Sequence, residues 1–229
     1  MRICAAQFRP VAGNIAINLA KHLELIDLAV AHRADLAYFP ELSLTGYEPR
    51  LAKSLATNEG DSRLDRLQER SNAHSILVGV GLPITFESSV LIGMIWFSPK
   101  GPRRSYAKQQ LHVDELSFFV CGEGQLLLEA GAHTLAPAIC YESLAPNHSD
   151  NAAKLGADIY LTSVAPHVHS LCDCKQEPVD VPERLHTMAL LVQVTKKGTP
   201  LFCETAHLVS PYPIAALHHL VEHLADSLE

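Results

Sequence analysis

Two hydrophobic periods alternate along the chain and mark out its elements. Arg2–Phe8 (RICAAQF) has strand character. From Asn14 to about His32 the apolar positions Ile15, Leu19, Leu23, Ile26 and Val30 recur at helical spacing, with Asn14 placed to cap the first turn. Asp35–Glu41 is a second strand. A loop with Gly46 and Pro49 follows, then a helix capped by Asp61 or Ser62 and running to about His74. Ser75–Ile84 and Ser89–Ser98 are long apolar strands, and the turn Pro99–Pro102 sends the chain back into Arg103–Lys108 as a hairpin. His112–Gly122 reads as irregular with one helical turn. The run Leu135–Ile139 is a buried strand ending at Cys140, and a helix-compatible stretch reaches Leu155. Ala157–Val164 is a further strand. Beyond it the pattern predicts a loop over Pro166–Pro182, a helix over Pro182–Val194, a strand over Pro200–Val209 and an amphipathic helix over Pro213–Leu228. Strands alternating with helices predict an α/β layered architecture, with residues 1–229 as one domain.

Composition narrows the function classes. The chain has 229 residues, 48% of them hydrophobic, which is enough for a large core. No apolar run approaches the ~18 residues of a membrane-spanning helix, and the N-terminus becomes polar too soon for a secretory signal. A net charge of −7, spread along the chain, argues against a nucleic-acid partner. The six cysteines form no regular framework, so free thiols in a reducing cytoplasm are expected.

Cys140 stands out because it falls between the end of a buried strand and a helix-compatible run. Such a turn can lift a sulfur into a cleft, and a helix N-terminus favours thiolate. The competing reading is a core thiol, since free cysteine is among the most buried residue types. Glu41 and Lys108 also stand at predicted strand ends, so the three can meet at one rim if their strands share a layer. Glu41 would then serve as general base and acid. Lys108 and the Tyr141 backbone N–H would serve as donors to an oxyanion. By position alone, a solvated glutamate and a surface lysine are the plainer account.

The local sequences carry a resemblance. Phe39–Tyr47 (FPELSLTGY), Tyr106–Leu111 (YAKQQL), Asp114–Gly122 (DELSFFVCG), Ile139–Glu142 (ICYE) and Leu155–Asp158 (LGAD) resemble, in order and separation, the motifs of the nitrilase (carbon–nitrogen hydrolase) superfamily. The resemblance covers roughly residues 1–165. It implies a nitrilase-like α-β-β-α sandwich with Cys140 as nucleophile, Glu41 as general base and acid, and Lys108 as stabiliser of the oxyanion. Glu115 would be the second glutamate that holds the lysine, with Asp114 next to it as the alternative register. The implied chemistry is hydrolysis of a small amide, or less readily a nitrile, through a thioester, with no cofactor and no metal. A homodimer or higher homo-oligomer is expected.

After residue 165 the pattern departs. Arg184 fits the family's helix arginine, but no Gly-x-Ser element follows, so an atypical or shortened C-terminal part is expected. Ser143 and Leu144 occupy positions where two branches place a carboxylate-binding arginine, which weakens those substrate readings. A catalytically impaired member acting through its dimer or a partner surface is the alternative. His167, His169, Cys172 and Cys174 lie close together, but their spacing matches no usual zinc pattern, and a polar loop is the simpler account.

Overall fold

The computed structural model describes residues 1–164 and the strand backbones of 190–196, 199–202 and 207–209. Helix α1, Ile15–Ala31, is capped by the Asn14 side chain, which accepts from the Ile17 N–H. Its buried face holds Leu19, Leu23 and Ile26, as the spacing predicts, while Ile15 and Val30 are partly buried at its ends. The same face also buries Asn18 and His22. Asp61 caps a short 3-10 turn over Ser62–Leu64 that leads into α3, Asp65–His74, and Ser75 closes that helix in the left-handed conformation. A four-residue helix α2, Ala52–Leu55, follows the predicted loop and was not expected.

Two sheets stack face to face. In the first, the order is β11-β1-β2-β3-β4-β5, comprising β1 Ile3–Ala6, β2 Leu36–Tyr38, β3 Leu77–Phe86, β4 Ser89–Phe97, β5 Arg103–Ala107 and β11 His207–Val209. In the second, the order is β10-β9-β8-β7-β6, comprising β6 Leu128–Ala130, β7 His133–Ile139, β8 Ile159–Ser163, β9 Leu190–Lys196 and β10 Thr199–Phe202. Side chains alternate between the two faces of a strand, and the clusters follow that period. Ile3, Leu36, Tyr38, Ile92, Met94 and Trp96 meet Leu135, Ile139, Ile159 and Leu161 between the sheets. The intervening Cys4, Ala37, Phe39, Val78, Ile95 and Phe97 pack on Leu19, Leu23, Ile26 and Leu67 of α1 and α3. On the far side, Ala136, Ala138 and Tyr160 pack on Ala152 of α4, Pro146–Lys154. These contacts build the expected α-β-β-α layering, and they explain why β3 and β4, buried on both faces, read as unbroken apolar runs.

Topology sets where the strand ends fall. β1, β2 and β3 run parallel, and two antiparallel pairings bring β5 back to the direction of β2. The chain therefore leaves β2 towards Glu41 and β5 towards Lys108 at the same edge. In the second sheet β7 and β8 are parallel, with Ile139 opposite Ser163. The Tyr38 hydroxyl crosses the core to the carbonyl oxygens of Ala138 (3.3 Å) and Leu161 (3.1 Å), setting the end of β2 over the end of β7.

The C-terminal expectations need correction. Residues 190–194, predicted as the end of a helix, belong to β9, antiparallel to β8. The predicted strand over 200–209 is two strands, β10 beside β9 and β11 beside β1, which extend different sheets. A short apolar run fits helix and strand alike, and an open strand edge decides between them. The predicted loop over 166–182 and helix over 213–228, with Arg184, lie outside the described residues.

One glycine is required by close packing. A Cβ on Gly81 of β3 would sit 2.2 Å from the Pro40 carbonyl oxygen and 2.6 Å from the Leu42 nitrogen. The turn that carries Glu41 lies directly on this strand. Gly81→Ala should therefore lower the urea-unfolding free energy by about 3 kcal/mol, the upper range for overpacking a core site. A midpoint equal to that of the parent protein would show that the turn can move aside.

Candidate active site

Glu41 follows β2 in a tight turn. The Ser43 N–H donates to the Pro40 carbonyl (3.1 Å), the Thr45 N–H donates to that of Leu42 (3.1 Å), and Leu42 has φ +52°. Helix α1 braces this turn from behind. Asn18 Nδ2 donates to the Leu44 carbonyl (3.0 Å), and His22 Nε2 is 2.9 Å from Ser43 Oγ. Asn18 and His22 are polar residues set into the apolar stripe of the helix, and that was the signal by which they could have been found.

Lys108 follows β5 and is fully buried. Its Nζ is 2.9 Å from Glu41 Oε1 and 2.7 Å from Glu115 Oε1. Burial alone drives an ammonium towards neutrality, but the carboxylates of Glu41 and Glu115 reverse this and hold its pKa above the ordinary lysine range. Glu115 ends a 3-10 turn over Val113–Glu115. Its Oε2 accepts from the His112 N–H (2.7 Å), and Tyr47 donates to its Oε1 (3.1 Å). Asp114 is exposed beside His112, so of the two adjacent carboxylates it is Glu115 that reaches the lysine.

Cys140 lies at the end of β7 with φ +50°, a backbone conformation that a non-glycine residue adopts only under constraint. A 3-10 turn over Cys140–Leu144 follows, and α4 begins only at Pro146. The expected helix N-terminus is thus not at the sulfur. Burial pushes the thiol pKa up, and Glu41 pushes it further through its charge and a hydrogen bond with the thiol; Lys108 pulls the other way and is outweighed. Cys140 therefore rests as a thiol paired with a carboxylate, rather than as a thiolate held by a helix dipole. Tyr141 is exposed, its ring edge-on to His112 at 5.6 Å.

Glu41, Lys108, Glu115 and Cys140 thus meet at one rim. Sequence reasoning missed the group beneath them, the fully buried Glu142 with Tyr106, Gln109, His148 and Tyr160. His167, His169, Cys172 and Cys174 lie outside the described residues. Among the described residues no group of three or more His, Cys, Asp or Glu is placed to hold a metal ion, and no helix is long and apolar enough to cross a membrane.

The sequence profile of the carbon-nitrogen hydrolase family matches residues 2–179. The glutamine-dependent NAD(+) synthetase of Aquifex aeolicus is 26% identical over 176 residues, covering 74% of this chain and 31% of that protein. The enzyme of the same description from Acinetobacter baylyi is 25% identical, covering 86% and 35%. The chain thus spans about a third of the length of these relatives. Among solved structures, the NitN amidase of Nesterenkonia sp. AN1 superposes with a TM-score of 0.66 at 26% identity, over 75% of this chain and 70% of that one. A variant of that amidase carries the acetamide moiety of fluoroacetamide covalently at its active-site cysteine.

Two predictions follow from the charges. Lys108→Met leaves two carboxylates buried without their cation and should destabilise the fold by about 3–5 kcal/mol, read from urea unfolding; a loss below about 1 kcal/mol would place the pair at the cost of a surface bridge. Burial pushes the pKa of His22 down from 6.5 to about 4. Its unfolded form binds a proton that the native form refuses, so its share of stability is complete above about 6.5 and is lost as pH falls towards 4. His22→Gln should therefore show a smaller drop in unfolding free energy than the parent between those pH values, and equal drops would contradict this.

Proposed function

The chain belongs to the carbon–nitrogen hydrolase family, and from that premise we propose that it is an amidase-type hydrolase of small primary amides with Cys140 as nucleophile. The observation that carries the reading is the Cys140 thiol hydrogen-bonded to Glu41, whose Oε1 lies 2.9 Å from Lys108 Nζ. A resting thiol needs a base in contact with it, and Glu41 is that base.

In the acylation step Glu41 takes the thiol proton as Cys140 Sγ bonds to the amide carbon. The oxygen gains the displaced electron pair and is stabilised by Lys108 and the Tyr141 backbone N–H. Glu41 passes its proton to the amide nitrogen, the C–N bond breaks, and ammonia leaves a thioester on Cys140. Glu41 then takes a proton from water, whose oxygen attacks the thioester. The C–S bond breaks, the proton returns to sulfur, and the carboxylic acid departs. Lys108 keeps its charge throughout because Glu115 Oε1 holds its Nζ at 2.7 Å independently of Glu41. Glu41 can therefore gain and lose a proton without leaving the ammonium unpaired.

A second reading concerns the amide itself. The relatives from Aquifex aeolicus and Acinetobacter baylyi are described as glutamine-dependent and align over 74% and 86% of this chain. Glutamine carries a primary amide on a short chain, so it belongs beside acetamide and butyramide in any substrate panel.

Ammonia release from these three amides, followed by a coupled glutamate dehydrogenase assay, tests the proposal. The parent should turn over at least one of them, and Cys140→Ala should fall by about 10³-fold or more, as expected when a nucleophile is removed. Equal rates in both would discard Cys140 as nucleophile. No turnover of any amide would favour the catalytically impaired member instead.

A further inference from the structure

Lys108 and Cys140 belong to different sheets, and no backbone ladder joins the ends of β5 and β7. Side-chain packing across a sandwich holds two sheets at about 10 Å but does not by itself fix one loop against another. The structure has a specific link at this point. The carboxylate of Glu142 accepts from the Gln109 N–H at 2.5 Å, one residue after Lys108, and from the Ile139 N–H at 2.6 Å, one residue before Cys140. We propose that Glu142 is a positioning residue whose carboxylate clamps these two backbone amides and so sets the separation of the lysine from the cysteine. This proposal deepens the amidase reading and rests on it.

The surroundings of Glu142 are built to hold one orientation. The Tyr106 hydroxyl lies 2.9 Å from both carboxylate oxygens and donates to them. Tyr106 is itself on β5, and Gln109 Nε2 donates to its hydroxyl at 3.0 Å. His148 of α4 places Nε2 2.8 Å from the same hydroxyl, and its Nδ1 is 2.7 Å from the Tyr160 hydroxyl of β8. A neutral histidine, one ring nitrogen donating and the other accepting, fits these contacts; Gln109 Nε2 also lies 3.0 Å from His148 Nε2, and the Tyr160 hydroxyl donates to the Glu142 carbonyl at 3.4 Å. Burial supports that neutral form, pushing the pKa of His148 down to about 4. The network thus gathers β5, β7, β8 and α4 around one carboxylate.

Such a group is not retained for stability alone. Taking a carboxylate out of water costs several kcal/mol, and apolar residues of equal volume often serve a fold as well. Here burial pushes the Glu142 pKa up to about 7, even though the Ile139 and Gln109 amides favour its charged form. What the carboxylate supplies, and an apolar side chain cannot, is two acceptor oxygens at a fixed spacing. The strained Cys140 backbone follows directly after one of the clamped amides.

The test compares the parent with Glu142→Gln and Tyr106→Phe. Glutamine keeps one acceptor oxygen but turns an NH2 towards the second amide, while Tyr106→Phe keeps the carboxylate and loosens only its orientation. Hydrogen exchange of peptides spanning 107–111 and 137–141 reads the clamp whether or not the protein turns over an amide. In Glu142→Gln both peptides should exchange faster, Cys140 alkylation by iodoacetamide should slow about tenfold, and kcat should fall about tenfold with KM within about threefold, as for a misplacement of about 1 Å or less. Tyr106→Phe should show the same signs at about threefold. Parent-like exchange, alkylation and kcat in a folded Glu142→Gln would overturn the clamp, as would lower thermal stability with kcat intact. If Glu142→Gln does not fold, Tyr106→Phe decides by the same measurements, parent-like values overturning the proposal. Amide turnover by Cys140→Ala equal to that of the parent would instead sink the nucleophile reading, whatever exchange shows about the clamp.

Discussion

A buried ammonium between two carboxylates is the constraint around which the rim is built. Lys108 has no exposed surface, and Glu41 and Glu115 lie within 3 Å of it. An ion in that position costs several kcal/mol unless its partners stay in place. Glu41 is held by a turn that lies on β3 and is braced from α1, while Glu115 is held by its own 3-10 turn and by Tyr47. Burial of the sulfur, with the Glu41 carboxylate beside it, is why Cys140 rests as a thiol, and the pull of Lys108 does not offset them. Burial and charge at the rim therefore dictate the proton inventory with which any reaction there must begin.

Two residues of the rim sit in left-handed backbone conformations, Leu42 beside Glu41 and Cys140 itself. Strain of this kind costs on the order of 1–3 kcal/mol per residue and persists only where the surroundings over-determine it. Both positions are over-determined. Gly81 admits the Glu41 turn at backbone contact distance, and Glu142 holds the amide that precedes Cys140. The polar side chains that do this (Asn18, His22, Ser43, Tyr106, Glu142) are buried in layers otherwise filled by aliphatic groups. Each has a hydrogen-bond partner, which is the condition for burying them at all.

Much of this was legible in the sequence because it follows from local rules. The periodic stripe of α1, the caps at Asn14 and Asp61, the hairpin through Pro99–Pro102 and the doubly buried strands all rest on spacing and turn chemistry. So does the placement of Glu41, Lys108 and Cys140 at strand ends. The convergence of these three depends on two antiparallel pairings and one sandwich, which no local window contains. Glu115 could not be separated from Asp114 by sequence because a one-residue shift in a 3-10 turn moves a side chain from the core to solvent.

By itself, then, the sequence determined the order and type of the longer elements up to β8, though not the short α2 and β6, and which residues at their ends could carry chemistry. These are properties of single segments. The tertiary structure decided what depends on two segments meeting. It brought residues 190–194 into a strand, because the open edge of β8 offered unpaired backbone groups that outweigh a weak helical pattern. It turned Cys140 from an expected thiolate into a thiol, because the sulfur is buried beside the Glu41 carboxylate and only a 3-10 turn, not an α-helix, begins there. It also gave Glu142 its place, since a carboxylate two residues after a cysteine shows nothing of its partners until β5 and β7 are laid across each other.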